Sequence, residues 1–399
     1  MGAGDAARHQ TKASGPEKGT TGKPDTVHLF LLEHDFSVLP LSPTPGATIV
    51  MLHVPATFKK IFQKSNRFFP LKPVDPDPAE RTVQLEAALD ARWPEPGHEP
   101  AHHMHLGWWD DAARGRCVMQ TITLNNGVEM PMVGMGVFRM TGDEVRAALP
   151  VALDAGYRLI DTAALYGNEE AVGEVIAASG LPRDELFVTT KVWYRDFGRD
   201  ATLRAFEKSL SRLGLDHVDL YLLHQPFNDC YGAWRALEEL YGQGVVRAIG
   251  VSNFMPDRYF DFVVHNDVTP AVNQCEVHPL HQRGDLHELA RQHGTVLQAW
   301  APLAQGKSEI HGSPVLRKIA ERHGKSVAQV MLRWLVQRGI SLVVKSTHEA
   351  RLRENLDVFD FELTKAEMSD IAALDEHKPN AGMTHHDPRL LEYLHDKYR

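Results

Sequence analysis

Asp161-Thr162-Ala163-Ala164-Leu165-Tyr166-Gly167-Asn168-Glu169 sets a carboxylate and a phenol five residues apart, directly behind the apolar-leaning run Tyr157-Arg158-Leu159-Ile160. Two further runs repeat the arrangement. Lys191 follows Leu186-Phe187-Val188-Thr189-Thr190, and His224 follows Val218-Asp219-Leu220-Tyr221-Leu222-Leu223. Each run reads as a short buried strand. Each ends on a group that can transfer or bias a proton. A (β/α)8 barrel keeps its chemistry at the carboxyl ends of successive parallel strands.

The pattern continues outward from this stretch. Apolar strands are expected at 133–138, 158–163, 186–192, 218–224, 248–253, 271–277, 296–301 and 341–346. Amphipathic helices fall between them, for instance Asp143–Ala155, Asn168–Ser179, Asp200–Leu213 and Tyr231–Gln243. Eight strand–helix units over about 250 residues match an α/β fold of the (β/α)8 TIM-barrel type. A doubly wound sheet would need a glycine-rich dinucleotide turn after an early strand. The candidate, Gly134-Met135-Gly136, lacks the third glycine and the helix start, and is rejected.

Residues 1–118 read differently and are expected to form a largely irregular N-terminal extension of unknown role, followed by the barrel over 119–399. Residues 1–25 are rich in Gly, Lys, Thr, Asp and Pro, a composition that favours disorder. His28-Leu29-Phe30-Leu31-Leu32 and Thr48-Ile49-Val50-Met51-Leu52 are strand-like. Beyond Pro70 the prolines leave room for a helix only around Ala79–Arg92. Met119-Gln120-Thr121-Ile122-Thr123-Leu124-Asn125-Asn126-Gly127 reads as a hairpin with an Asn-Gly turn. Met119 is therefore a candidate translation start, with a genuine accessory segment as the alternative. The histidines of His98-Glu99-Pro100-Ala101-His102-His103-Met104-His105 lack helical i, i+4 pairing and cysteine partners, so a solvated loop is favoured over a metal site.

Composition narrows the partners. Of 399 residues, 43% are hydrophobic, which suits a globular protein with a sizeable core, and the formal charge of −9 argues against nucleic acid or an anionic membrane. Cys117, Cys230 and Cys275 lie far apart, without metal-ligand or disulfide spacing. No apolar run approaches the length of a membrane span, and the amino terminus lacks the apolar core of a signal peptide. A cytoplasmic location and a small-molecule substrate are expected.

Asp161, Tyr166, Lys191 and His224 make a chemical unit if they meet in space. An isolated tyrosine titrates near ~10 and is a poor acid at neutrality. A lysine ammonium beside it would lower that value, and an aspartate would hold the lysine charged. A histidine could orient a carbonyl oxygen. Burying a lysine without a partner is costly, so Lys191 inside a strand implies a partner, for which Asp161 is the natural candidate.

From about Met119 to about Pro388 the chain resembles the aldo-keto reductase family, its bacterial members above all, such as the diketogluconate and glyoxal reductases. The resemblance rests on DTAALYGNE, TTKVW, LLHQP, GVSNF, VNQCEVHP and VVKSTHEARLRENLDVFDFEL, six motifs in family order and at family spacing. It implies a tetrad of Asp161, Tyr166, Lys191 and His224 with Tyr166 as general acid, and NADPH as the hydride source. It implies that Ser252, Asn253 and Gln274 hold the nicotinamide carboxamide and that Trp300 stacks under the ring. Lys345, Ser346, Thr347 and Arg351 would bind the adenosine 2′-phosphate, and Glu354 and Asn355 would contact adenine. Phe138 and Trp193, with His224, would line the substrate side for a small carbonyl compound. Val344 stands where the family commonly has proline, so a fixed φ is lost before Lys345. The loops after His224 and Trp300 read as short, which predicts an open pocket without a long lid. A monomeric oxidoreductase is expected; the alternative is a nucleotide-sensing, regulatory member of the same fold.

Overall fold

A computed structural model describes residues 28–31, 49–52, 120–380 and 382–398. The chain divides into two units, Met1–Pro96 and Gly97–Arg399. In the first, β1 (His28–Leu31) and β2 (Ile49–Leu52) pair in parallel, on the two strand-like runs. The irregularity expected for 1–118, the helix around Ala79–Arg92, Cys117 and the histidine-rich loop lie outside the described residues.

The described part of the second unit opens with the expected hairpin. β3 (Thr121–Thr123) and β4 (Glu129–Pro131) are antiparallel, and Gly127 supplies the φ of +83° that their turn needs. The hairpin caps the amino-terminal end of a barrel. Asn125 donates to the carbonyls of Thr269 and Pro270, and Asn126 to that of Arg247, at the starts of barrel strands.

The barrel strands are β5 (Val133–Gly136), β6 (Leu159–Asp161), β7 (Phe187–Val192), β8 (Val218–Leu223), β9 (Val246–Ser252), β10 (Val272–Glu276), β11 (Val296–Trp300) and β12 (Ser341–Val344). They form one closed parallel barrel in chain order, and β12 pairs with β5 to shut it, Leu342 opposite Val133. Nearly every strand residue is buried, as expected for strands covered on both faces.

The helices are α1 (Gly142–Ala155), α2 (Glu169–Ala178), α3 (Arg199–Leu213), α4 (Cys230–Gly242), α5 (Pro256–Val264), α6 (Gly284–Gln292), α7 (Ser308–His311), α8 (Pro314–His323), α9 (Val327–Gln337), α10 (Glu349–Leu356), α11 (Lys365–Ala372) and α12 (Pro388–Lys397). Local chemistry fixes their starts. Thr141 with Glu144, Ser326 with Gln329 and Thr364 with Glu367 form reciprocal capping boxes at α1, α9 and α11. At Gly173 in α2, a Cβ would stand 2.1 Å from the carbonyl oxygen of Leu213, so glycine lets α2 pack against the end of α3.

One expectation is corrected. The connection after Trp300 is not a short loop. Ala301–Ser313 holds a 3-10 turn at Ala304–Gly306 and the helix α7, and Ala301, Ala304 and Gln305 take left-handed φ values of 50°, 49° and 53°. Among the described residues no helix is long and apolar enough to cross a membrane.

Candidate active site

A cavity of about 1020 Å³ opens at the carboxyl ends of the barrel strands. That exceeds the volume of most single-ligand pockets, roughly 300–1,000 Å³, so it has room for a large cofactor together with a small substrate.

Each polar group of its floor ends or follows a strand. Asp161 is the last residue of β6, Lys191 lies near the end of β7, and His224 follows β8. Lys191 is fully buried. Its Nζ donates to Asp161 Oδ1 at 2.6 Å and to the carbonyl of Thr162 at 2.9 Å. The same Nζ stands 5.2 Å from the ring centre of Tyr166, whose ring is 5.5 Å from that of His224. Tyr166 is carried by the 3-10 turn Ala164–Tyr166, which ends at Gly167 with φ +68°. Asn168 pins this turn. Its amide donates to the carbonyls of Val137 and Met140, and its oxygen accepts from the Thr162 hydroxyl.

The electrostatics reverse one expectation. Burial, the Asp161 carboxylate and Tyr398 push the Tyr166 phenol well above the ordinary tyrosine value, where the sequence predicted that Lys191 would lower it. Burial also pushes the Lys191 ammonium down, against the pull of Asp161. The lysine is too desolvated, and too closely bound to Asp161, to draw the proton off the phenol. Tyr166 thus keeps its proton at neutral pH. Burial, with Lys191 and His385, holds His224 well below its ordinary value, so its imidazole is neutral.

The remaining predicted residues gather around this centre. Ser252 Oγ donates to the Gln274 carbonyl at 2.8 Å. Asn253, at φ +67°, donates to the His224 carbonyl at 3.2 Å and accepts from Trp300 Nε1 at 2.9 Å. Gln274 Nε2 donates to Asp161 Oδ2 at 2.7 Å, a link with no signal in the motif. Lys345, Ser346, Arg351, Glu354 and Asn355 line the far end of the cavity. Among the described residues neither Lys345 nor Arg351 forms an ion pair. Thr347 is exposed and lies outside the lining, because the chain turns where the Ser346 hydroxyl accepts from the His348 amide. Phe138 and Trp193 both face the cavity, Phe138 stacked obliquely on Tyr166 at 4.9 Å. The indole Nε1 of Trp193 and Nδ1 of His224 are buried without a hydrogen-bond partner among the described residues.

A second correction concerns the lid. The loop after His224 is short, but the carboxyl-terminal segment covers the cavity. His385, Leu390, Leu394 and Tyr398 line it; Tyr398 packs on Trp193 at 5.5 Å, and His385 on Phe227 at 6.1 Å. The apolar spacing Leu390, Leu394 was the only trace of this in the sequence.

A strand-end Lys–Asp pair beside a tyrosine and a neutral histidine suits polarising and protonating a carbonyl. The model of the Aldo/keto reductase family matches residues 132–376. This chain belongs to that family. It is 49% identical over 258 residues to glyoxal reductase of Bacillus subtilis (strain 168), covering 64% of this chain and 93% of that protein. Among solved structures it resembles an aldo/keto reductase from Brucella melitensis, with a TM-score of 0.62 and 43% identity over 64% of this chain and all of that one. It also resembles an aldo-keto reductase of Bombyx mori in complex with NADP, with a TM-score of 0.63 and 35% identity over 65% of this chain and 94% of that one. As an aldo/keto reductase the protein is an oxidoreductase of carbonyl compounds.

Proposed function

We propose that this aldo/keto reductase reduces small aldehydes and ketones, dicarbonyls included, with NADPH, and that Tyr166 is its general acid. The single observation that carries the reading is the buried Lys191–Asp161 contact of 2.6 Å beside Tyr166 and His224. Two cations that form no ion pair among the described residues, Lys345 and Arg351, end the cavity next to Ser346 and suit a phosphate. The Trp300 indole, held by Asn253, offers a flat face for a nicotinamide ring. When bound, the dinucleotide supplies hydride to the carbonyl carbon.

The chain's own residues do the rest. The Trp193 indole N–H and the neutral His224 are donors for the carbonyl oxygen, which fixes the substrate and polarises it. Tyr166 gives its hydroxyl proton to that oxygen as negative charge develops, and recovers one from solvent. Lys191 stabilises the phenolate left behind, and Asp161 holds Lys191 in place. Phe138, Trp193 and the carboxyl-terminal cover exclude water from the reacting atoms.

Loss of reduced-nicotinamide absorbance with NADPH and methylglyoxal tests this. Wild type should turn over, while Tyr166→Phe should lose at least about a hundredfold of that rate, the range of acid–base catalysis, yet bind NADPH nearly as well. Tight NADPH binding by a wild type without turnover would favour the nucleotide-sensing alternative. Equal turnover by both proteins would remove Tyr166 from the role.

A further inference from the structure

Asp161 uses both oxygens. Lys191 takes Oδ1, and Gln274 Nε2 takes Oδ2 at 2.7 Å. The second proton of that same amide goes to Gln298 Oε1, also at 2.7 Å. Gln298 Nε2 donates to Ser341 Oγ at 3.1 Å, and Ser341 Oγ donates to the Pro131 carbonyl at 3.4 Å. A chain of hydrogen bonds thus crosses the barrel interior from the catalytic lysine to the hairpin that closes the opposite end. Lys191, Gln298 and Ser341 are wholly buried, and Asp161 and Gln274 nearly so.

Both ends of this chain are pure acceptors, the Asp161 carboxylate and the Pro131 carbonyl. That fixes every amide between them. Ser341 must donate to Pro131, so Gln298 must turn its N–H2 toward Ser341 and its oxygen toward Gln274. Gln274 then has both N–H protons engaged. Only its carbonyl oxygen is left to accept from anything in the cavity.

From this geometry we infer that Gln298 is a positioning residue: through Gln274 it holds Asp161 against Lys191 and sets the donor–acceptor sense that the cavity floor presents to a ligand. The inference rests on the Tyr166–Lys191 reading above. A buried carboxylate with one donor removed is free to reorient, and in a dry interior a half-satisfied network is the costly state. Asp161 is what keeps the Lys191 ammonium protonated against burial. Loosening Asp161 therefore lets Lys191 surrender its proton at lower pH.

Gln298→Met tests this, because it keeps the volume of the side chain and removes only the polar ends. Measured in the full chain beside wild type, Gln298→Met should lower kcat about tenfold, with the KM for methylglyoxal changed less than about twofold. The basic limb of its kcat–pH profile should move down by at least about half a pH unit. Gln298→Glu keeps an oxygen against Gln274 and should recover much of the lost kcat. A merely structural role would lower the folded fraction without moving the pH profile, and that result, or a wild-type kcat in Gln298→Met, overturns the inference. Tyr166→Phe run alongside separates the two readings. If it loses turnover and Gln298→Met does not, the acid stands and the positioning role falls; if Tyr166→Phe keeps full turnover, both fall.

Discussion

Lys191 is the residue on which the site's chemistry and the fold's stability meet. It is fully buried, and Asp161 supplies its countercharge at 2.6 Å. Removing one partner of a buried ion pair leaves the other uncompensated, which typically costs about 3–5 kcal/mol. Asp161→Asn should therefore lower the unfolding free energy in urea by about that much, as well as abolishing most turnover. The double variant Asp161→Leu/Lys191→Met should recover most of the stability and none of the activity. Retained stability in Asp161→Asn would mean that the Thr162 carbonyl alone suffices for the lysine. The direction of the Tyr166 shift sharpens the same picture. A phenol whose proton is held tightly until negative charge appears on the substrate oxygen is suited to donating late, in the transition state.

At the scale of elements, the cavity has a fixed floor and a separately built cover. The floor belongs to strand ends. The cover belongs to α12 and the segment before it, which is tied back to the turn after β10. Glu376 and Lys378 donate their amides to the Leu280 carbonyl, and the Asn380 amide donates to Glu276 Oε1. Two imidazoles stand at this junction, His281 buried and His385 half-buried. Burial and Arg283, with His278 adding to them against Glu276 and Asp375, hold His281 down at about 4. Burial, Arg283 and His386 hold His385 down at about 3. Released into water, each would titrate near 6.5. The open form then binds more protons than the closed one below that pH, so closure is strongest above 6.5 and weakens as the pH falls toward 4. Amide exchange in α12, corrected for its intrinsic pH dependence, should show less protection at pH ~5 than at pH ~7.5. Equal protection at both would mean that these imidazoles stay buried when the cover opens.

These two parts also differ in how they could be read from the sequence. Asp161, Lys191 and His224 were legible because each follows an apolar run that a barrel must end at its active face. Tyr398 and His385 were not, because their partners Trp193 and Phe227 lie far away along the chain and nothing local encodes the contact. Gln298 was invisible for another reason. Inside a buried strand a glutamine reads as an exception to the apolar pattern, and only the three-dimensional register shows which amide it faces.

On the scale of the whole molecule, the barrel is assembled from neighbours in sequence except at one place. β5 to β12 follow one another around the ring, and the ring shuts where Val133 meets Leu342. The hairpin stitches the same line: Leu342 donates its amide to the Met132 carbonyl at 2.8 Å, and Ser341 reaches Pro131. Every other strand pairing closes a loop of one α-helix, or of three between β11 and β12. This one closes roughly two hundred residues, and loop-closure entropy rises with that length. Non-local pairings of this kind form late and slowly. The first and last strands are thus the two edges of an open sheet until they meet, and an open parallel edge is a template for pairing with another chain. During refolding, amides of β7 and β8 should acquire protection before the amide of Leu342, as followed by pulsed hydrogen exchange. Simultaneous protection would mean that closure is part of the nucleus. The seam that encloses the site is, on this account, also the interval of greatest risk in the life of the chain: until it zips, the molecule is a half-made sheet whose proper partner for β5 is its own most distant strand, and whose improper partner is any other copy nearby.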